Sequence, residues 1–141
     1  MKAIGVIPAR LHSIRFPKKI LHLIDGKPMV VYVYEQAQKA KSLDEVIVAI
    51  DAEETSTALK PFKVKTVMTS EGHVSGTDRI QEAAANIETD VIVNIQGDEP
   101  TIDPALINEL VNQFEDESLQ MATVAGKDMD AKKLTDVKDR K

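Results

Sequence analysis

The sequence predicts an α/β domain of three layers, a mostly parallel sheet with helices on both faces. Three observations predict it. Apolar, β-branched runs of strand length recur at Lys2–Ile7, Glu45–Ile50 and Asp90–Ile95, and the segments between them carry the 3.6-residue spacing of helices. Strands alternating with helices of this length require parallel crossovers and a sheet covered on both sides. The 141 residues suffice for one core, and no repeat, low-complexity tract or linker divides them.

Each element has its own justification. Lys2–Ile7 is a buried strand, and it empties into the loop Pro8-Ala9-Arg10-Leu11-His12-Ser13-Ile14-Arg15-Phe16-Pro17-Lys18-Lys19. Leu21–Ile24 is a short extended piece closed by a turn over Asp25–Pro28. Met29–Lys39 places Met29, Val30, Val33, Tyr34 and Ala37 on one helical stripe. After the strand Glu45–Ile50, residues Asp51–Leu59 read as a short helix stopped by Pro61. Lys65–Met68 is a weaker strand. Thr69–Thr77 is a polar loop in which Ser75 or Thr77 caps a helix over Asp78–Asn86, with Ile80, Ala83, Ala84 and Ile87 inward. Asp90–Ile95 is apolar enough for the middle of a sheet. Asp103 followed by Pro104 is an N-cap with proline at the first helical position, opening a helix over Ala105–Phe114 that buries Leu106, Ile107, Leu110, Val111 and Phe114. Gln120–Ala125 is a last strand. Lys127–Lys141, with four Asp and six Lys or Arg, has almost no apolar face and reads as a connection cut short.

Charge is distributed unevenly along this plan. The chain carries 18 Lys and Arg against 23 Asp and Glu, net -5, yet five of the bases and none of the acids precede Ile20. The first carboxylate is Asp25. A strand that empties into a cationic loop makes an anion site, because ligands of open α/β sheets bind outside the carboxyl ends of the strands. The anion expected is a phosphate chain. An acidic protein with one basic loop does not suit general nucleic-acid binding, which calls for a basic face. No cysteine is present, so disulfide and zinc-thiolate frames are excluded. No apolar run approaches the roughly 18 residues of a membrane span, and a soluble cytoplasmic protein is expected.

Two further loops carry chemistry. Gln96-Gly97-Asp98-Glu99-Pro100 leaves the end of the strongest strand, and a carboxylate at Asp98 facing a phosphate loop is an arrangement that holds magnesium; a turn aspartate bonding its own backbone is the alternative. His73 and Ser75-Gly76-Thr77 offer imidazole, hydroxyl and amide groups at a helix start, where anions are favoured, though capping alone accounts equally for Ser75 or Thr77. His12 and His22 read as surface or packing residues. The Gly-x-Gly-x-x-Gly, Walker A and Gly-x-Ser-x-Gly motifs are all missing, which removes the main support for dinucleotide oxidoreductases, P-loop NTPases and serine hydrolases.

Taken together, Ile7-Pro8-Ala9-Arg10, Ser13, Arg15, Pro17, Lys19, Leu21 and Gly26-Lys27-Pro28-Met29 resemble the nucleotide-binding opening of the sugar nucleotidyltransferases. His73-x-Ser75-Gly76-Thr77-Asp78-Arg79 and Val93-Asn94-Ile95-Gln96-Gly97-Asp98-Glu99-Pro100 narrow the resemblance to the 3-deoxy-manno-octulosonate (Kdo) cytidylyltransferases, the CMP-Kdo synthetases of lipopolysaccharide assembly. It runs from Met1 to about Val124. The resemblance implies a Rossmann-like, nucleotide-diphospho-sugar transferase type of fold and a magnesium-dependent reaction of CTP with Kdo to CMP-Kdo and pyrophosphate. By position it implies that Arg10, Arg15 and Lys19 hold the triphosphate, with Pro8 and Ala9 beside them. Ser75 and Arg79 would lie near the cytosine and ribose, Gln96 would reach the sugar, and Asp98 would bind magnesium. Around the loop lysine the chain departs from the family in having Lys18 and Ile20, which leaves open whether Lys18 or Lys19 meets the phosphate. Members of the family run well beyond residue 141, so residues 1–141 are expected to be a single nucleotide-binding domain without the family's C-terminal part, its second metal carboxylate and its homodimer contacts. The acceptor alternatives are an amino-substituted Kdo or a sialic acid; the alternative of another class is a CTP-binding fragment without turnover.

Overall fold

The computed structural model describes residues 2–11, 18–71, 76–113 and 120–124. Among the described residues, seven strands and four helices follow one another as β1 (Ala3–Ala9), β2 (Leu23–Ile24), β3 (Lys27–Pro28), α1 (Met29–Gln38), β4 (Glu45–Ile50), α2 (Glu53–Leu59), β5 (Thr66–Met68), α3 (Gly76–Ala84), β6 (Val91–Ile95), α4 (Pro104–Asn112) and β7 (Gln120–Val124). Short 3-10 turns at Lys19–Leu21 and Lys60–Phe62 connect them. Five strands form one sheet in the order β5-β4-β1-β6-β7, every pairing parallel. The chain builds outward from β1 to β4 and β5, then returns to the other side of β1 for β6 and β7. The reversal lies between β1 and β6, and an open parallel sheet offers its ligand crevice at the carboxyl ends of two such strands.

The three layers follow from which residues alternate inward. Ile7 and Ala9 of β1, Val46, Val48 and Ile50 of β4, and Val91, Val93 and Ile95 of β6 pack on one face against α1 and α4. Ile4 and Val6, Ile47 and Ala49, and Ile92 face the other way, onto Ile80, Ala83 and Ala84 of α3. Both faces of the central strands are thereby covered, which is why those strands read as unbroken apolar runs. Burying each Ile or Val side chain contributes about 1.5–3 kcal/mol relative to exposure. The base of β1 is fixed from both neighbours: the Lys2 amide donates to Asp90 and the Ala3 amide to Asp44, each at 2.8 Å.

Several elements differ from expectation for identifiable reasons. β1 runs two residues further, to Ala9, because its ladder with β4 continues to Ala9 opposite Ile50. Its ladder with β6 ends at Val6 opposite Asn94, so Pro8 enters the strand where that pairing has stopped. The expected turn over Asp25–Pro28 is a hairpin: Asp25 and Gly26, both at positive φ, form its two-residue loop, and Lys27–Pro28 pairs with Leu23–Ile24. α2 begins at Glu53 and not Asp51, whose side chain is used elsewhere. It passes directly into the 3-10 turn that holds Pro61. α3 starts at Gly76, so Thr77 lies inside its first turn and is not the N-cap. Asp103 caps α4 as expected, accepting from the Ala105 amide at 2.9 Å. Arg15, His73, the candidate cap Ser75, Phe114, Ala125 and the charged tail lie outside the described residues.

Candidate active site

The candidate site is built at the carboxyl ends of β1, β4, β5 and β6. Two buried residues without chemistry of their own bring its charged groups together. Gly97, just past β6, is buried, and a Cβ there would stand 3.3 Å from the Pro8 carbonyl oxygen, 3.5 Å from Ile7 and 3.6 Å from Ile20. With only hydrogen at that position, the 3-10 turn carrying Ile20 lies against the end of β6. Ile20 is itself buried as the anchor of the turn. Its neighbour Lys19 is thereby delivered to Asp98, with Nζ 3.0 Å from Oδ2. Both side chains remain 40–46% exposed.

The same turn separates the two lysines. Lys18, in the left-handed region at φ 58, reaches sideways to Glu54 at 2.9 Å, on the first turn of α2. Lys19 alone of the pair faces the β6 loop. The foot of the basic loop is closed by the Lys18 amide donating to the Leu11 carbonyl at 2.9 Å. Arg10, immediately before that foot, is exposed; with Asp51, Ala52 and Glu71 it lines a cavity of about 180 Å³. Pro8 is half-buried, and the Ala9 methyl belongs to the core, so Ala9 offers the crevice its backbone only. Gln96 is half-buried, and its carbonyl accepts from the Glu99 amide at 3.3 Å, which closes the loop around Asp98.

Arg79, which the resemblance implied to lie near the cytosine and ribose, is bound to protein groups. It is 2% exposed, and its guanidinium is taken up by protein: it donates to Thr69 Oγ1 at 2.6 Å and to the Ser70 carbonyl at 3.1 Å, and lies 3.5 Å from Asp51 Oδ2. The base of α3 is thus tied to the ends of β4 and β5, and these contacts give Arg79 a place in the frame of the site. Asp51, read from sequence as the start of a helix, is the carboxylate in this network. Its position directly after a β-branched strand was the available signal, the same logic that singles out Asp98. Among the described residues no three His, Cys, Asp or Glu side chains gather to hold a metal, and no helix is long and apolar enough to cross a membrane.

A parallel sheet whose switch point brings Lys19 to Asp98 matches a known design. The cytidylyltransferase family model covers residues 4–141. The chain belongs to the cytidylyltransferase family. Among curated cytidylyltransferases, the 3-deoxy-manno-octulosonate cytidylyltransferase of Geotalea daltonii is 50% identical over 125 residues, 88% of this chain and 49% of its own length. The 8-amino-3,8-dideoxy-manno-octulosonate cytidylyltransferase of Shewanella frigidimarina is 43% identical over 141 residues, covering 96% of this chain and 58% of its own. A solved CMP:2-keto-3-deoxy-manno-octonic acid synthetase, complexed with CTP, superposes with a TM-score of 0.79 at 43% identity, over 82% of this chain and 48% of that one. The sheet order and helix layers are those of this fold, and the chain spans about half the length of the curated cytidylyltransferases it matches.

Proposed function

We propose that this chain is the nucleotide-binding domain of a Kdo cytidylyltransferase, which transfers CMP from CTP to Kdo and releases pyrophosphate, a cytoplasmic step toward lipopolysaccharide. One observation carries the reading: at the β1/β6 switch point Lys19 of the basic loop meets the Asp98 carboxylate, in a chain half identical to relatives bearing that name. In the reaction, the anomeric hydroxyl oxygen of the sugar bonds to the α-phosphorus, the bond from that phosphorus to the α,β-bridging oxygen breaks in line, and the hydroxyl proton passes to solvent. Such transfers depend on positioning and on stabilising charge, and need no protein nucleophile.

The residues divide that work. Arg10 and Lys19 meet the triphosphate and stabilise negative charge as it grows on the departing pyrophosphate, with Arg15 of the same loop alongside. Lys19 is the phosphate lysine, because Lys18 is turned toward Glu54. Ser75 contributes to the nucleoside site, and Gln96 faces the acceptor sugar. Asp98 is the magnesium ligand. A single half-exposed carboxylate fits that ion, which commonly takes one or two carboxylates and completes its shell with water and substrate phosphates. When bound, magnesium would neutralise phosphate charge.

The whole enzyme is a homodimer on this reading, and nucleic acid and membrane are not its partners. The 43% identity to an 8-amino-Kdo enzyme makes that amino sugar the alternative acceptor. The deciding experiment is pyrophosphate release by the 141-residue chain with CTP, magnesium and either Kdo or 8-amino-Kdo, beside a UTP control. Release that requires CTP and one acid sugar supports the transfer. CTP binding without release identifies a nucleotide-binding module, and neither binding nor release rejects the assignment for this chain.

A further inference from the structure

We propose that Asp51 is a positioning residue for the nucleotide, a single carboxylate that anchors the phosphate loop and the loop before α3 to one another. The inference rests on the CTP-binding reading given above. Asp51 is the first residue after β4, and its side chain is only 9% exposed. Its two oxygens serve two different parts of the site. Oδ1 accepts from the Leu11 amide at 3.1 Å, where the basic loop leaves the sheet; Oδ2 lies 3.5 Å from Arg79. Arg79 carries the link onward to Thr69 Oγ1 and the Ser70 carbonyl, at the start of the polar loop. Thr69 Oγ1 in turn donates to the Ile50 carbonyl at 2.7 Å, closing the network onto the end of β4. The ends of three neighbouring strands and the base of α3 are thus held by one charge pair.

The chemistry requires a carboxylate in particular. Two donors, a backbone amide and a guanidinium, converge on Asp51 from different sides, and a carboxylate alone offers an oxygen to each. Asparagine has one oxygen and one NH2 group, so it can satisfy one donor and must oppose the other. The guanidinium, an ion-pair partner at 3.5 Å, would repel the NH2 group and draw the one oxygen to its own side. Leu11 would then lose its acceptor, and with it the basic loop would lose a fixed foot. Because Arg10 precedes Leu11 directly, the error reaches a phosphate-binding residue first. Asp51 therefore affects the triphosphate through Arg10 and without contact of its own.

The test compares CTP and CMP affinities of the 141-residue chain and of Asp51→Asn and Asp51→Glu, together with backbone amide NMR. Asp51→Asn is expected to weaken CTP about tenfold and CMP less than threefold, and to shift the Leu11 amide resonance. Asp51→Glu, which keeps two oxygens, is expected to recover most of the CTP affinity. A general loosening of the fold would lower both affinities together and leave their ratio unchanged, and that outcome overturns the proposal. CTP affinity of Asp51→Asn within threefold of wild type overturns it too. Should Asp51→Asn fail to fold, Arg79→Lys supplies the decision: it must move the Leu11 amide through Asp51, and an unmoved resonance refutes the link. If the unaltered chain binds no CTP, the functional reading fails and this inference falls with it; if the unaltered chain binds and the variants match it, only this inference falls.

Discussion

Asp98→Asn is expected to change CTP affinity in opposite directions with and without magnesium. Asp98 and Lys19 form an ion pair at 3.0 Å with both side chains 40–46% exposed. Pairs of that exposure are worth about 0.2–1 kcal/mol. An incoming triphosphate must take Lys19 from Asp98 and must also approach a carboxylate of its own sign. Without metal, asparagine removes both costs, so the variant should bind CTP as tightly as wild type or up to about fivefold more tightly, the equivalent of ~1 kcal/mol. That gain should shrink as salt rises, since the Debye length falls from about 10 Å at 0.1 M to about 3 Å at 1 M. With magnesium the sign reverses. Loss of a charged contact costs about 1.5–3 kcal/mol, which predicts at least tenfold weaker binding than wild type. Calorimetric titration of CTP in excess chelator and again in millimolar magnesium would show the two curves crossing. Equal losses under both conditions would refute the reasoning, since they would mean that Asp98 holds the loop together and has no specific dealing with the metal.

Three other substitutions or titrations test the frame of the site. Arg79→Leu strands the buried Asp51 carboxylate beside an apolar side chain and should cost about 3–5 kcal/mol in urea unfolding, the usual penalty for breaking a buried pair; a loss below about 1 kcal/mol would show the pair to be dispensable. Gly97→Ala places a methyl 3.3 Å from the Pro8 carbonyl, a rigid neighbour, and should cost about 1–3 kcal/mol while moving the Lys19 turn and weakening CTP. Unchanged affinity in that variant would separate the close packing from the site. Lys27 donates to Glu35 at 2.6 Å, and this bond raises its pKa above the ordinary 10.5. The pair's contribution should therefore be complete below pH 10.5 and vanish as pH climbs through the raised value. Side-chain nitrogen NMR of Lys27 would detect this, and titration at or below 10.5 would contradict it.

The parts of the molecule legible in the sequence are those whose signal is local. β4 is found at its predicted bounds because five successive residues of β-branched and apolar character after Glu45 leave no other reading. The Asp103-Pro104 start of α4 is legible because cap and first helical residue are adjacent in the chain. The hairpin at Asp25-Gly26 was read one element short, although that dipeptide is itself the hairpin signal. Asp98 was visible as an acid just past a buried strand. Its Lys19 partner was not, because 79 positions separate them and a turn packed on Gly97 joins them. The protein partners of Arg79 were hidden for the same reason: a motif names a residue, but only the fold shows which groups its head meets.

The charged residues of this site are therefore less informative than the residues that aim them. Arg10 and Lys19 lie near the two ends of the basic loop and Asp98 on the loop after β6, and exposed side chains of this length would sample many rotamers if the backbone did not restrict them. Restriction comes from Ile20 buried against Gly97, and from Asp51 between Leu11 and Arg79. The first fixes the lysine relative to β6; the second fixes the arginine relative to β4. β1 lies between those two strands and is hydrogen-bonded to both, and the Lys18 amide on the Leu11 carbonyl at 2.9 Å ties the two anchors to one another, so an error at either reaches the other half of the phosphate site. Combining Gly97→Ala with Asp51→Asn should consequently give losses of CTP affinity that depart from the sum, as expected of sites joined through a shared contact. Losses that add within about 0.5 kcal/mol would mean that the two anchors act independently, and that the bond between Lys18 and Leu11 does not make the phosphate site a single cooperative unit.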